Sequence, residues 1–178
     1  MTFHTWHEEA IGKQHDRGAF DCAEEELNGY LKKYARQNHE NGGAKTFLAI
    51  EDATGRILGY YTLAPCSALY EETPEAARKG MPRHPVPGFR LARLAVDKSV
   101  GGRGLGTQLI LAAGRRCIRV AGEVGGVALF IDAKSESVAE WYAARGAMRL
   151  VGVPEGLPIP MVISLKTIAA ALRVANQL

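Results

Sequence analysis

The stretch GGRGLG places four glycines within the six residues from Gly101 to Gly106, after an apolar run that ends at Asp97. The leucine- and alanine-rich segment that follows predicts a helix. The first N–H groups of a helix lack partners within the helix, and the helix dipole favours an anion there. Glycines let a phosphate oxygen approach such amides without meeting a Cβ atom, and Arg103 adds a positive charge. The stretch could therefore bind a phosphate group, and the alternative is a glycine-rich turn that binds nothing.

Two common phosphate-binding motifs do not fit this stretch. A P-loop requires a lysine directly after its last glycine, whereas Thr107 follows Gly106. A dinucleotide fingerprint requires a third glycine at a fixed spacing, where Thr107 or Leu109 stands here. What remains is a pair of glycines, one residue apart, at the entrance of a helix.

The elements around this turn predict a mixed α/β fold built on one sheet. Asp21 is a plausible N-cap for one helix that continues to the glycines at 42 and 43. Residues 71–89 predict a proline-rich surface connection with one helical turn after Thr73. The apolar patterns predict strands within 45–51, 56–69, 89–97, 125–133, 147–153 and 159–166, and further helices at 105–122, 135–146 and 167–176.

Length and composition indicate one globular domain. The chain has 178 residues, 47% of them hydrophobic, and its formal net charge of +3 permits a polyanionic partner without requiring one. Its three cysteines, Cys22, Cys66 and Cys117, are far apart and in no metal-ligand spacing, which favours the reducing cytoplasm and predicts no metal site. The first ten residues lack a signal-peptide pattern, and no apolar run reaches the length of a membrane span. We therefore expect a cytoplasmic protein without membrane association.

The stretches LARLAVDKSVGGRGLGTQLILAAGRR and ALFIDAKSESVAEWYAARGA resemble the GNAT superfamily of N-acetyltransferases. The matching features are a strand ending in LAV, the glycine turn with its helix, a strand ending in IDA, and a helix carrying WYAARGA. The resemblance implies a single GNAT domain over residues 1–178, with a mixed, mostly antiparallel central sheet flanked by helices and a splayed strand pair that binds acyl-CoA. Two positions depart from the family pattern: Gly101 replaces the usual Arg or Gln, and Ala147 replaces the usual Phe.

A narrower resemblance lies in FDCAEEELNGYLKKYARQN, PGFRLARLAVD and IPMVISLKTI, which are similar to the acetyltransferase toxins of bacterial type II toxin–antitoxin pairs. It implies an enzyme that uses acetyl-CoA to acetylate the α-amino group of aminoacyl-tRNA and so blocks translation. It also implies a cognate antitoxin, a small ribbon-helix-helix protein, and a homodimer. The alternatives are a metabolic or drug-modifying acetyltransferase with a small amine substrate, and a module that binds CoA or nucleic acid without catalysis.

The resemblance also implies roles for individual residues. Tyr142 would act as the general acid, since a phenol with a pKa of about 10 is protonated at neutral pH and can protonate a leaving thiolate. Its alternative role is a core aromatic packed beside Trp141. The implied acetyl-CoA-binding residues are Leu94, Ala95, Val96, Gly101, Gly102, Arg103, Gly104, Leu105, Gly106, Thr107, Asp132 and Ser135. The implied tRNA-binding residues are Arg90, Arg93, Lys32, Lys33 and Arg36.

A general base is harder to assign from the sequence. Glu71, Glu72, His84 and Asp132 could each accept a proton, but none of them stands in a specific pattern. An α-amine has a pKa near 8, so a useful fraction of it is already neutral at pH 7. The reaction can therefore proceed with or without a base, and this favours a small-molecule or aminoacyl α-amine over a lysine side chain as the acceptor.

Overall fold

The computed structural model describes residues 5–178; the first four residues, on which part of the signal-peptide expectation rests, lie outside it. The strands in this range are β1 (Trp6–Ala10), β2 (Lys45–Glu51), β3 (Ile57–Ala68), β4 (Val86–Val96), β5 (Ala128–Ala133), β6 (Met148–Arg149) and β7 (Ile159–Ser164). The α-helices are α1 (Glu25–Lys33), α2 (Ala35–Asn41), α3 (Glu75–Arg78), α4 (Leu105–Val124), α5 (Glu136–Ala143) and α6 (Leu165–Val174). One turn of 3-10 helix covers Lys98–Val100.

The strands form one sheet in the order β1-β2-β3-β4-β5-β7-β6. β1–β2, β2–β3, β5–β7 and β6–β7 are antiparallel, whereas β4 and β5 are parallel. The β4–β5 ladder runs from Gly88 opposite Ala128 to Leu91 opposite Ile131, and β4 itself continues to Val96. The mixed, mostly antiparallel sheet is confirmed, and β4 runs on past its ladder with β5, as a splayed pair requires.

Four local features of the fold differ from the predictions. The first predicted helix is two helices, because the backbone departs from helical geometry at Tyr34, where φ is −119°. Asp21 is not its N-cap; Glu24 takes that position without a side-chain capping bond. The strand β1 was not predicted, because WHEEA carries polar residues at most positions and lies at the edge of the sheet. β4 also begins inside the predicted proline-rich connection, at Val86.

The first of two compact units covers the described residues up to Ala64 together with Ala92–Ile110. Its core contains two aromatic contacts to Tyr60: the ring of Phe20 meets it edge-on at 5.6 Å, and that of Tyr30 stacks on it at 6.5 Å. The buried residues around them are Ile11, Leu31, Ala35, Leu48, Ile50, Ile57 and Ala95. This unit contains the glycine turn, and its core fixes the segments on either side of that turn.

The second unit covers Pro65–Leu91 and Leu111–Leu178. Its core cluster consists of Ala77, Val86, Ala128, Phe130 and Val162, with half-buried neighbours such as Met148 and Leu150 packed against it. It contains α5 and the loop between β6 and β7. The expectation of a single domain over residues 1–178 stays a prediction.

Within the part of the chain that the structure describes, no helix has the length and apolar character needed to cross a membrane.

Candidate active site

The glycine turn lies between the 3-10 turn at Lys98–Val100 and the start of α4. Gly102 has φ of +71° and Gly104 has φ of +86°, a left-handed conformation that side chains with a Cβ rarely adopt. No heavy atom of the described chain lies within 4 Å of the place where a Cβ would stand at either position. The turn therefore requires these two glycines for its conformation, and the space beside them is open.

The start of α4 presents backbone amides to this open space. The N–H of Gln108 donates to the carbonyl of Gly104 at 3.2 Å, which is the first helical bond of the 20-residue helix. The amides of Leu105 and Gly106 precede that bond and have no helix carbonyl upstream to accept from them. With the positive end of the helix dipole and the exposed Arg103, this start fits an anionic group.

Gly101 differs from these two glycines, whose φ is positive. Its φ is −60°, and an added Cβ would lie 3.6 Å from the carbonyl oxygen of Lys98, an ordinary van der Waals contact. The backbone therefore does not require glycine here, and the departure from the family's Arg or Gln removes a side chain without altering the turn.

Asp97 anchors the chain on its way from β4 into the turn. It is 5% exposed, and one of its oxygens accepts from both the amide and the hydroxyl of Ser99, at 3.0 and 2.6 Å. Burial would raise the pKa of this carboxyl, but the hydrogen bonds that it accepts outweigh that effect and the pKa lies below its usual range. Asp97 is therefore an ionised, fully engaged carboxylate directly after Leu94–Val96. Of those three residues Ala95 is buried and the other two are half-buried.

Tyr142 lies on α5 in the second unit. Its ring is buried, with 7% exposure, and packs edge-on against Trp141 at 5.1 Å between ring centroids. Burial raises the pKa of its hydroxyl to about 12, against a smaller opposing effect of Arg145. Among residues 5–178 none hydrogen-bonds this hydroxyl, and its oxygen is not one of the side-chain atoms closed to solvent. The ring of Tyr142 is thus packed in the core, while its hydroxyl is protonated at neutral pH and has no hydrogen-bond partner among the described residues.

Asp132 and Ser135, the two predicted cofactor residues of the second unit, have local partners. Ser135 caps α5, where its hydroxyl accepts from the amide of Val138 at 3.3 Å. Asp132 forms an ion pair with Arg90, and both side chains are about two-fifths exposed. Arg90 therefore pairs with a partly exposed carboxylate of the neighbouring strand. The predicted roles of these residues toward cofactor and tRNA stay predictions.

Arg90 and Asp132 line an open cavity of about 550 Å³ within the second unit, together with Leu69, Glu72, Leu150, Val153 and four prolines. A second open cavity of about 600 Å³ shares part of this wall and is lined by the ion pair of Glu136 with Arg149. The segment VPEGLP at residues 153–158, for which the sequence predicted no functional role, lies in the walls of both cavities. The signal that could have revealed it is the cluster of prolines between two strands.

The basic residues predicted for tRNA in the first unit meet on and around α1. The guanidinium of Arg93 lies 4.6 Å from the centre of the Tyr30 ring, and its Nη1 donates to the carbonyl of Ala92 at 2.9 Å. Its Nε is buried without a partner in the described chain. Lys32 and Lys33 are exposed at the end of α1, whereas Arg36 pairs with Glu40 at 2.8 Å.

The described residues contain no candidate metal site. No group of three or more His, Cys, Asp and Glu side chains among residues 5–178 could hold a metal ion. The three cysteines are free thiols, and burial raises the pKa of Cys117 to about 12.

Comparison with known proteins defines the class. No family model matches the chain. The tRNA-acetylating toxin of Mycobacterium tuberculosis is 37% identical over 132 residues, which cover 74% of this chain and 78% of that protein. The crystal structure of a tyrosine-to-phenylalanine mutant of KacT is 29% identical, with a TM-score of 0.83 over 93% of this chain and 98% of KacT.

AtaT gives two further matches. Its complex with acetyl-methionyl-tRNAfMet is 26% identical, with a TM-score of 0.83 over 94% of this chain and 99% of AtaT. A tyrosine-to-phenylalanine mutant bound to acetyl-CoA and the C-terminus of the antitoxin AtaR is 26% identical, with a TM-score of 0.77 over 94% and 98% of the chains. The architecture is therefore the GNAT fold of these toxins. By its identity to the mycobacterial protein, the chain belongs to the family of tRNA-acetylating toxins of type II toxin–antitoxin systems.

Proposed function

We propose that this chain is an acetyl-CoA-dependent N-acetyltransferase toxin that acetylates the α-amino group of aminoacyl-tRNA and so blocks translation. The observation that carries this proposal is the open glycine turn at the start of α4, with φ of +71° at Gly102 and +86° at Gly104. The family relation supports it, since the mycobacterial relative is a tRNA-acetylating toxin and AtaT binds both acetyl-CoA and acetyl-methionyl-tRNAfMet.

The glycine turn and the end of β4 are the proposed donor site. The amides from Gly102 to Thr107, assisted by Arg103, bind the pyrophosphate of acetyl-CoA. The backbone of Leu94–Val96, which lies past the β4–β5 ladder, forms hydrogen bonds with the pantetheine arm. Asp132 and Ser135 complete the proposed set of cofactor residues.

Tyr142 is the proposed general acid. Acetyl-CoA supplies an acetyl thioester, whose carbon–sulfur bond breaks as the amine nitrogen bonds to the acetyl carbon. The Tyr142 hydroxyl donates its proton to the departing sulfur, and the proton that the amine loses restores the phenol through solvent. No residue has to act as base, because the α-amine has a pKa near 8.

Basic residues in both units support an RNA acceptor. In the first unit, Lys32 and Lys33 are exposed without an ionic partner in the described chain, and Arg93 lies against the same helix. In the second unit, Arg90 stands at a large open cavity, with Asp132 as its present partner. We propose that these side chains and Arg36 contact phosphates of the tRNA, which would make binding strongly dependent on salt.

The proposed partners follow from the family. AtaT binds the C-terminus of its antitoxin AtaR, which supports a cognate antitoxin for this chain. We propose that this antitoxin is a small ribbon-helix-helix protein and that the toxin is a cytoplasmic homodimer. Light scattering of the purified toxin tests the dimer directly.

Expression without an antitoxin should stop bacterial growth, and the purified protein should transfer labelled acetyl groups to charged tRNA. Deacylated tRNA, and charged tRNA whose α-amine is already acetylated, should take up no label, because neither offers a free amine. Scintillation counting of precipitated tRNA measures the transfer. Harmless expression together with rapid turnover of a small amine would instead support the small-molecule acetyltransferase.

The rate of transfer should rise from about pH 6, level off above about pH 9 and show no descending limb up to about pH 10. The rate rises as the α-amine loses its proton, and Tyr142, with its pKa raised to about 12, stays protonated throughout. Single-turnover acetylation, quenched before the aminoacyl ester hydrolyses, measures this profile. A decline beginning near pH 8 or 9 would show that the general acid is another group.

A further inference from the structure

A set of hydrogen bonds ties the entrance of the glycine turn to the FDC segment near the start of the chain. The second oxygen of Asp97 accepts from the amide of Asp21 at 3.0 Å, and the amide of Lys98 donates to the carbonyl of Asp21 at 2.8 Å. The Asp21 carboxylate forms an ion pair with the Lys98 ammonium at 2.7 Å. We call Asp21, Asn28, Asp97, Lys98 and Ser99 the aspartate clamp.

The clamp rests on a rigid base. Phe20, the residue before Asp21, is 2% exposed and packs on Tyr60 in the core of the first unit. The buried amide of Asn28 donates to the Asp21 carboxylate at 3.0 Å and accepts from the amide of Cys22 at 2.9 Å. Asp21 therefore cannot move without disturbing the core or α1. Through its hydrogen bonds and ion pair it also restrains Asp97 and Lys98.

The restraint continues residue by residue into the turn. Asp97 caps the 3-10 turn through Ser99, and the amide of Val100 donates to the Asp97 carbonyl at 3.0 Å. Val100 is buried at 3% exposure, and the amide of Gly101 donates to the Lys98 carbonyl at 3.4 Å. Gly102, the first of the two positive-φ glycines of the turn, follows immediately.

We propose that Asp97 and Asp21 are positioning residues for acetyl-CoA, because the clamp holds the glycine turn in the conformation whose amides bind the pyrophosphate. This inference rests on the donor site assigned under the proposed function. Both carboxylates are engaged by N–H, hydroxyl or ammonium groups of the clamp and of Ala23, so they act through the backbone and need not touch acetyl-CoA.

The clamp also explains a charge pattern that otherwise opposes anion binding. Two carboxylates joined to the segment that enters a phosphate site would repel the phosphate if their charges were unbalanced. Lys98 balances Asp21, and the donors around Asp97 stabilise its charge. The amides of the turn then determine the local preference for an anion.

The test compares three substitutions with the parent protein. Asp97→Asn replaces one acceptor oxygen by a donor that cannot face either the Asp21 or the Ser99 amide, and Asp21→Ala removes the side-chain part of the clamp. Asp52→Asn is the matched control, because Asp52 is an exposed aspartate of the same unit, paired with His7 at 2.6 Å. Calorimetry with CoA gives Kd, steady-state assays give KM for acetyl-CoA and kcat, and thermal melting reports folding.

We expect Asp97→Asn to raise Kd and KM about tenfold, and Asp21→Ala to raise them by a smaller factor, while kcat at saturating acetyl-CoA stays within about twofold. Asp52→Asn should change none of them. Because Asp21 is partly exposed, we expect Asp21→Ala to fold. Its CoA affinity therefore tests the positioning role even if Asp97→Asn fails to fold. Unchanged CoA affinity in folded Asp21→Ala would overturn the inference, and so would a fall in kcat without a change in Kd.

Failure of the proposed function gives a different result. A parent protein that binds CoA but acetylates no charged tRNA contradicts the proposed acceptor, while the calorimetric comparison of the clamp variants still confirms or overturns the inference.

Discussion

Replacing Tyr142 by phenylalanine should lower kcat for acetyl transfer by about 10²–10⁴-fold, the usual cost of losing a general acid. The hydroxyl assists the departing sulfur and not ground-state binding, so CoA affinity should stay within about twofold. Stability should also change little, because the hydroxyl has no hydrogen-bond partner in the described chain whereas the ring and its contact with Trp141 remain. Single-turnover rates, calorimetry with CoA and thermal melting measure the three quantities.

Tyr60→Phe is the matched control for this experiment. Tyr60 is also a buried tyrosine, but its hydroxyl donates to the carbonyl of Leu27 at 2.7 Å. Its loss should cost about 1 kcal/mol of folding free energy and leave kcat unchanged. If Tyr142→Phe behaves like this control, destabilised yet active, Tyr142 is a structural residue and the proton comes from another group or from water.

Replacing Gly104 by valine should weaken CoA binding at least tenfold, roughly 1.4 kcal/mol or more. The φ of +86° strains any β-branched residue, and the added side chain would occupy the open space through which a phosphate reaches the amides of α4. Calorimetry with CoA measures the affinity, and circular dichroism confirms that the variant is folded.

Gly101→Ala serves as the control for the glycine turn. Its φ is −60° and its added Cβ would make only an ordinary contact at 3.6 Å, so CoA affinity should stay within about twofold of the parent. Equal CoA affinities for the parent and a folded Gly104→Val variant would show that the pyrophosphate does not bind at this turn.

The sequence predicted the local features of the fold and site well, and the reason is physical. A helix that begins after a glycine turn, a strand of alternating burial and a helix that ends shortly before Gly146 each depend on residues a few positions apart. The glycine turn before α4 and the helical location of Tyr142 were therefore predictable from pattern and propensity, whereas the φ values of Gly102 and Gly104 come from the structure. The GNAT resemblance then supplied the order in which these pieces assemble.

Contacts between segments distant in the sequence could not be predicted from such local patterns. Asp21 was predicted to cap a helix a few residues away, but it contacts Asp97 and Lys98, which are more than seventy positions along the chain. Arg90 and Asp132, predicted to bind two different ligands, form an ion pair. A carboxylate pairs with whichever hydrogen-bond donor or cation the fold places beside it. The residues next to it in the sequence do not determine that partner.

By itself, then, the sequence determined the α/β class, the glycine turn and the position of Tyr142, because local backbone preference and side-chain periodicity encode them. Tertiary structure alone decided the edge strand β1, the break between α1 and α2 at Tyr34, the aspartate clamp and the cavity wall at residues 153–158. These features depend on which segments meet in space, where packing and hydrogen bonding override the weak preferences of short polar stretches.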